Sequence, residues 1–256
     1  MKKIAVVGGT GTLGTPVVAQ LAARGHEVLA LSRTAPDSLP GGAQHRVVDL
    51  VTGEGLADAL AGAEVVIDAS NGTPRGAEAV LVDGTRRLLA AERKAGVGHH
   101  VGVSIVGIED VPMGYYRTKV AQEQAIEAGD VPWTILRATQ FHDLIGMALE
   151  ATSRFRMLPG FKAQLQPVDV RDVAVALADL AEGEPRHARE EIVGPEIVEL
   201  RDLATAWKTA NHRHAVVVRA PFPTALGRAL RDGGLTDADA PRHGEITFGE
   251  WLATTV

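Results

Sequence analysis

The chain has 256 residues, 45% of them hydrophobic and 4% aromatic, which supports one large domain, or a domain and a smaller lobe, with an aliphatic core. The formal net charge is −6 with both signs interspersed, and neither a basic patch nor a long apolar run is present, so no nucleic-acid partner and no membrane span are predicted. The absence of cysteine excludes disulfides, thiolate catalysis and Cys-ligated metals.

The first predicted elements are a strand, a glycine-rich turn and a helix. Residues 3–7 are apolar and mostly β-branched, as in a buried parallel strand, and residues 15–25 form a helical pattern that ends at a glycine. Glycines in the intervening turn let a diphosphate approach the main chain, and the helix N-terminus offers it free N–H groups and a positive dipole end. The turn predicts dinucleotide binding through Gly8, Thr10, Gly11, Thr12, Leu13 and Gly14.

The second predicted strand, residues 27–31, leads into Ser32 and Arg33. An NAD-selective site carries an acidic residue about 20 positions beyond the glycines to bind the ribose 2′-hydroxyl, and no carboxylate lies near that place here. An arginine suits a 2′-phosphate, because its fork donates several charge-assisted hydrogen bonds. The sequence therefore favours NADP(H) over NAD, the alternative being an arginine that only leaves the strand into solvent.

The third and fourth predicted strands, residues 44–48 and 64–68, are each followed by residues assigned to the cofactor site: Asp49, Leu50, Ala69, Ser70 and Asn71. Asp49 either accepts a hydrogen bond from the adenine amino group or caps the next turn. Ligands of open parallel sheets lie beyond the carboxyl ends of the strands. The loop after the fourth strand is therefore expected to flank the ribose and nicotinamide half of the cofactor.

Tyr115 and Lys119 open the predicted helix after the fifth strand, residues 99–103, which ends in Ser104. A spacing of four places both side chains on one helix face, and a nearby ammonium lowers the pKa of a tyrosine from its ordinary value of about 10. Such a tyrosine serves as a general acid or base near neutral pH. With Ser104 on the same substrate oxygen, the three residues predict hydride transfer between a cofactor and a carbonyl or alcohol. The alternative is a surface tyrosine and a solvated lysine.

The order of elements predicts the fold. A helix over roughly 75–96 and a sixth strand at 133–137 complete an alternation typical of a doubly wound sheet. We predict an α/β fold with a Rossmann-type doubly wound parallel sheet in residues 1–140, to which later elements return. Residues 141–256 are predicted to supply a smaller C-terminal α/β substrate lobe.

Gln140, Phe141 and His142 follow the sixth strand and are predicted to line the substrate pocket. His142 is either a substrate contact or a loop histidine satisfied by its surroundings. His212 and His214 share one face if they lie on a strand, but no third ligand has matching spacing, so no metal site is predicted.

These motifs together resemble the short-chain dehydrogenase/reductase superfamily: the glycine turn, Ser32-Arg33, Ser104 and Tyr115-x-x-x-Lys119. The Gly-Gly-Thr-Gly opening and residues 137–141 and 167–174 are more similar to its atypical, NmrA-like branch. The resemblance covers essentially the whole chain and implies an NADP(H) cofactor. It also implies that Tyr115 is the acid/base, Lys119 the nicotinamide-ribose ligand and Ser104 an assisting group. Tyr115 follows Ser104 by eleven residues, fewer than is usual in that superfamily.

The predicted function is an NADPH-dependent oxidoreductase that transfers hydride to or from a small-molecule carbonyl, alcohol or enone. No signal-peptide pattern opens the chain, so the expected location is the cytoplasm, and the sequence leaves a homo-oligomer open. Some members of the NmrA-like branch bind the dinucleotide without reducing anything, so a non-catalytic NADP(H)-binding redox sensor is the alternative. A nucleotide-sugar epimerase or dehydratase ranks last, because the small apolar lobe leaves little room for a second nucleotide.

Overall fold

The computed structural model describes residues 1–72 and 76–255, and a seven-stranded parallel sheet forms its centre. The strands are β1 Lys3–Val7, β2 Glu27–Ser32, β3 Gln44–Val47, β4 Val65–Asp68, β5 His99–Ile105, β6 Trp133–Ala138, β7 Met157–Pro159, β8 Gln164–Leu165, β9 Arg189–Ile192, β10 Val198–Glu199 and β11 Val216–Val218. Two further pairs, β8 with β10 and β7 with β11, form small separate sheets.

The helices alternate with these strands. They are α1 Gly14–Ala23, α2 Leu56–Ala59, α3 Thr85–Ala95, α4 Gly114–Glu127, α5 His142–Ser153, α6 Val170–Glu182, α7 Leu200–Ala210, α8 Ala225–Arg231 and α9 Phe248–Thr255. A π-helical segment, Ala79–Gly84, runs directly into α3. Arg75, the predicted first residue of this helix, lies outside the described residues. The single-turn helix α2 was not predicted from the sequence.

The strand order β3-β2-β1-β4-β5-β6-β9 confirms the predicted Rossmann-type α/β fold. The order reverses between β1 and β4, and this reversal is where open parallel sheets bind their ligands. Val7, the last residue of β1, pairs with Leu31 of β2 on one side and with Asp68 of β4 on the other. The segments that follow these three strands, beginning at Gly8, Arg33 and Ala69, therefore leave the same edge of the sheet.

The chain divides into two compact units that alternate along the sequence. The first unit comprises Met1–Ser104, Gly114–Arg137 and Val173–Glu190, and the second comprises Ile105–Met113, Ala138–Asp172 and the chain from residue 191 onward. The core of the first unit is aliphatic, and Leu31, Leu60 and Leu88 are completely buried in it. The core of the second unit is formed by α5, α7, α9 and the small sheets, with Trp207 and Phe248 among its buried aromatic residues.

A buried ion pair links α4 to β6 inside the first unit. Arg137 Nη2 donates to Glu123 Oε2 at 2.7 Å, and Arg137 Nε donates to Glu123 Oε1 at 3.0 Å. The two side chains are only 9% and 2% exposed. Such a two-point contact is geometrically specific, and removing one partner strands a charge in the interior.

We expect Glu123→Leu to lower the free energy of unfolding by about 3–5 kcal/mol, because it leaves the Arg137 guanidinium buried without this carboxylate. The matched control is Arg93→Ala, which removes an ion pair to Asp130 whose side chains are 71% and 69% exposed. That change should cost less than about 1 kcal/mol. Urea denaturation of both variants checks the difference, and equal losses would contradict a structural role for the buried pair.

Candidate functional site

The turn after β1 is built so that only glycine fits at three of its positions, Gly8, Gly9 and Gly14. Gly8 has φ +73°, and a Cβ there would lie 2.7 Å from the carbonyl oxygen of Ala69. A Cβ at Gly14 would lie 2.0 Å from the carbonyl oxygen of Gly8. The amides of Gly8 and Gly9 both donate to the carbonyl of Leu31, at 2.9 and 3.2 Å. The turn is therefore held tightly against both β2 and the segment that follows β4.

The N-terminus of α1 lacks the groups that usually satisfy a helix start. Leu13 occupies the N-cap position without a side-chain cap, and no acidic residue lies in the first turn. Within residues 1–72 and 76–255, the amides of Thr12 and Leu13 donate to no acceptor. Unpaired amides and the positive end of the helix dipole suit an anion. The residues present therefore fit the diphosphate of a dinucleotide.

Arg33 directly follows β2 at the same sheet edge. Its side chain is exposed, and no ion pair joins it to another residue in the part of the chain that the structure describes. Ser32, by contrast, is engaged locally: its Oγ donates to the carbonyl of Thr34 at 2.8 Å and lies 2.9 Å from Nε2 of His45. The Arg33 guanidinium is thus available for a phosphate, while Ser32 shapes the turn after the strand.

Asp49 caps the turn that follows it, which is one of the two alternatives predicted for this residue. Its Oδ1 accepts from the amide of Val51 at 2.7 Å, and its carbonyl accepts from the amide of Gly53 at 2.7 Å. Leu50 is 7% exposed and belongs to the core of the first unit. A contact of Asp49 with adenine stays a prediction.

The loop after β4 brings Tyr115 to the glycine turn. The amide of Ala69 donates to the carbonyl of Val7 at 3.0 Å, which ties the start of this loop to β1. Two residues on, Asn71 Oδ1 accepts a hydrogen bond of 2.7 Å from the Tyr115 hydroxyl. One short segment therefore joins the candidate phosphate turn to the candidate acid/base.

Lys119 lies inside the first unit, where its ammonium is hydrogen-bonded to groups other than the Tyr115 phenol. The residue is 4% exposed, and its Nζ donates to the carbonyl of Val103 at 2.6 Å and to Oε1 of Gln122. Burial lowers the pKa of Lys119 to about 8, against the opposing influence of the Asp68 and Glu123 carboxylates.

The predicted lowering of the Tyr115 pKa by Lys119 is wrong. Burial raises the pKa of the Tyr115 phenol above its ordinary value, because the charged phenolate would lose solvation. The Lys119 ammonium does not offset this, since its hydrogen bonds go to Val103 and Gln122. Tyr115 is therefore a protonated acid at neutral pH.

Two serine hydroxyls at neighbouring strand ends have no partner. Ser70 and Ser104 lie two residues beyond Asp68 and Gly102, which pair across β4 and β5. Both Oγ atoms are buried, and neither is hydrogen-bonded to any described residue. Buried polar groups are nearly always hydrogen-bonded, so an unpartnered hydroxyl at the carboxyl end of a strand marks a place for a ligand atom.

The three predicted pocket residues belong to the second unit. Gln140 Nε2 donates to the carbonyl of Leu235 at 3.0 Å, and Phe141 forms an isolated bridge with Val168. His142 is fully buried, and its Nε2 donates to the carbonyl of Ile246 at 3.0 Å. Its ring lies 5.5 Å from that of Phe248, a distance typical of edge-to-face aromatic contacts. Nε2 is therefore satisfied within the second unit, whereas Nδ1 is buried without a hydrogen-bond partner among the described residues. A substrate contact of His142 stays a prediction.

Lys119 is hydrogen-bonded to Gln122, whose amide in turn donates to Asp68 and Thr85, and sequence reasoning missed all three of these residues. Asp68 ends an otherwise apolar strand and is 1% exposed. A carboxylate at the end of a buried strand signals a paired interior charge, because an isolated one is too costly to bury. No comparable signal distinguishes Gln122 from the other polar residues of α4.

The described residues contain neither a metal-binding cluster nor a helix suited to a membrane. No group of three or more His, Cys, Asp or Glu residues among them is arranged to hold a metal ion. Within the same ranges, none of the helices combines the length and the apolar character needed to cross a bilayer.

The fold and the glycine turn define a dinucleotide-binding Rossmann protein. The chain belongs to the NAD(P)H-binding family, because residues 8–184 match the sequence profile of that family. This result confirms the resemblance stated from the motifs.

The chain is also similar to several curated proteins. It is 28% identical over 252 residues to an NAD(P)H azoreductase of Xenophilus azovorans, covering 95% of this chain and 85% of that protein. Several other curated relatives match over shorter stretches, which span 12% to 47% of their own length.

Solved structures share the fold at low identity. An NADPH-dependent quinone oxidoreductase of Escherichia coli, crystallised with NADPH, superposes with a TM-score of 0.80 at 18% identity over 98% of this chain and 99% of that one. A triphenylmethane reductase of a Citrobacter species, crystallised with NADP(H), gives 0.77 at 20% identity over 99% and 100%. At such identities the likeness establishes the architecture alone.

Proposed function

We propose that the chain is an NADPH-dependent reductase that delivers hydride to a small-molecule carbonyl or enone, with the reverse oxidation of an alcohol as the same chemistry run backwards. The observation that carries this proposal is the hydrogen bond of 2.7 Å from the Tyr115 hydroxyl to Asn71. It ties a titratable acid to the loop that packs against the glycine turn.

The cofactor is proposed to lie along the carboxyl edge of the first unit. The amides of Thr12 and Leu13 receive its diphosphate, and Arg33 receives its 2′-phosphate. The remaining proposed cofactor contacts come from the glycine turn and from residues at or after the ends of the next three strands: Gly8, Thr10, Gly11, Gly14, Ser32, Asp49, Leu50, Ala69, Ser70 and Asn71. Lys119 is proposed as the nicotinamide-ribose ligand. Bound NADPH supplies the hydride.

The protein supplies the proton. The raised pKa of Tyr115 keeps its hydroxyl protonated at neutral pH, which suits a group that gives a proton to the substrate oxygen as it gains charge. The Ser104 hydroxyl, buried and unpartnered, is proposed to donate a second hydrogen bond to that oxygen. The substrate contacts predicted for Gln140, Phe141 and His142 stay predictions.

The relatives favour an electron-poor conjugated acceptor over a simple ketone. The curated relative that covers most of this chain is named as an azoreductase, and a protein of the same fold is named as a quinone oxidoreductase. Quinones belong to the enone class and accept hydride readily. We therefore place quinones first among substrates to be tried.

The proposal is tested by following NADPH oxidation at 340 nm under anaerobic conditions with quinones, enones, aldehydes, ketones and azo dyes. Saturable, enzyme-dependent turnover with at least one class is expected. NADPH binding without turnover across the whole panel would contradict the proposal and support the redox-sensor alternative. In that case, affinity for a protein partner should differ between the NADP⁺-bound and NADPH-bound forms.

Arg33→Ala should weaken NADPH binding by about 10- to 100-fold, because a charge-assisted contact contributes about 1.5–3 kcal/mol. Binding of NADH, which has no 2′-phosphate, should hardly change. Arg86→Ala is the control, since Arg86 is an exposed arginine on α3 paired only locally with Asp83. Fluorescence titration with both nucleotides gives the result, and an equal loss for the two would refute the 2′-phosphate assignment.

A further inference from the structure

The buried amide of Gln122 connects the Lys119 ammonium to the Asp68 carboxylate inside the first unit. Gln122 Oε1 accepts from the Lys119 ammonium. Gln122 Nε2 donates to Oδ2 of Asp68 at 3.3 Å and to Oγ1 of Thr85 at 3.1 Å. All four side chains are 4% exposed or less. Both the oxygen and the nitrogen of this amide are therefore hydrogen-bonded. No apolar residue of the same size could make these hydrogen bonds.

The same carboxylate also orders the candidate cofactor loop. Asp68 Oδ1 accepts from the amide of Ser70 at 3.0 Å. The next residue of that loop, Asn71, accepts the Tyr115 hydroxyl, and Tyr115 and Lys119 lie one turn apart on α4. The contacts therefore close a ring from Lys119 through Gln122, Asp68 and the loop to Tyr115.

We propose that Gln122 is a positioning residue that holds Lys119 as an ammonium and couples it, through Asp68, to the loop of Ser70 and Asn71. This inference rests on the proposed roles of Lys119 and Tyr115, whose relative placement the ring maintains. Gln122 touches neither reacting atom in this scheme. It acts by giving the buried cation an acceptor that is itself polarised by the Asp68 carboxylate.

The charged groups around Lys119 determine in which direction a change at Gln122 should move the pKa of Lys119. Asp68 on β4 and Glu123 on α4 favour the ammonium, while burial opposes it and sets the pKa of Lys119 at about 8. Glu123 is already engaged by Arg137 and Arg189, and the buried Glu92 is paired with His100. Gln122 is thus an uncharged side chain in direct contact with Lys119 that can be changed without breaking an ion pair.

The test is a pH titration of the lysine side-chain ¹³Cε signals in the ligand-free, ¹³C-labelled full chain. The chain has six lysines, and the Lys119 signal is assigned by its absence from Lys119→Met. Gln122→Met removes the acceptor, so the Lys119 midpoint should fall by about one pH unit. Gln122→Glu places an anion at the same position, so the midpoint should rise by about one unit or more. Gln124→Met and Gln124→Glu are the controls, because Gln124 is exposed on the same helix.

Opposite shifts for the two Gln122 variants, with no shift for the Gln124 variants, would support the proposal. An unchanged Lys119 midpoint in both Gln122 variants, or shifts in the same direction, would overturn it. If Gln122→Met does not fold, Thr85→Val removes one acceptor of the Gln122 amide and should produce a smaller fall. The titration needs neither cofactor nor substrate, so a protein without reductase activity would defeat the proposed function while leaving this result readable.

Discussion

Tyr115→Phe should lower kcat for NADPH-dependent reduction by about 100-fold or more, while the Kd for NADPH stays the same. The variant keeps the aromatic ring and loses only the hydroxyl that donates to Asn71 at 2.7 Å. Because the proton is needed only as charge develops on the substrate oxygen, the loss should appear in kcat and leave cofactor binding intact. Steady-state kinetics and a separate NADPH titration measure the two effects.

Tyr116→Phe is the control for this experiment. Tyr116 is the other tyrosine of the chain, neighbours Tyr115 on α4 and is 9% exposed, and its ring packs 6.2 Å from that of Tyr115. Removing its hydroxyl should leave turnover nearly unchanged. Full activity of Tyr115→Phe, or equal losses in the two variants, would remove Tyr115 from the chemistry.

Gly11→Ala should weaken NADPH binding by about 100-fold, equivalent to about 2.7 kcal/mol, and should leave the fold intact. A Cβ at Gly11 would meet only the Gly8 carbonyl oxygen, at 3.2 Å, so a shift of a few tenths of an ångström accommodates it. The methyl group then occupies open space at the turn, where the diphosphate is proposed to lie. Gly8 and Gly14 are unsuitable for this test, because side chains there would collide with the backbone and disturb folding.

Gly98→Ala provides the comparison. Gly98 is exposed and remote from the turn in sequence, and a Cβ there would lie 3.7 Å from the Glu64 carbonyl oxygen, an ordinary contact. Both variants should melt close to the parent protein, and only Gly11→Ala should lose affinity. Unimpaired NADPH binding by Gly11→Ala would place the diphosphate somewhere else.

The fold could be predicted from local patterns because those patterns have local causes. The apolar run of β1, the glycines after it and the helix α1 specify one strand–turn–helix unit, and the structure shows this unit. The helix α2 escaped prediction because its single turn is too short for a periodic pattern to emerge. The π-helical start of α3 was not predicted either, because π-helical segments are rare and have no periodic signal of their own in the sequence.

The direction of the Lys119 side chain could not be predicted, because its cause is not local. The spacing places Tyr115 and Lys119 on one helix face. The flexible four-carbon stem of lysine nevertheless lets its ammonium turn toward the interior when hydrogen-bond acceptors are present there. Those acceptors are the Val103 carbonyl and Gln122, whose amide in turn depends on Asp68, 54 residues away in sequence. The surroundings of Tyr115, whose burial raises its pKa, likewise include a residue distant in sequence, because Asn71 lies 44 residues away.

The central claim is that the chain binds NADPH at the carboxyl edge of the sheet in the first unit. Isothermal titration of the purified chain with NADPH tests it most directly, because the roles proposed for the glycine turn, Arg33 and Tyr115 all depend on that cofactor. We expect saturable binding with one nucleotide per chain, and weaker binding of NADH. Heat changes that never saturate with either nucleotide would contradict the assignment of this sheet edge as a cofactor site.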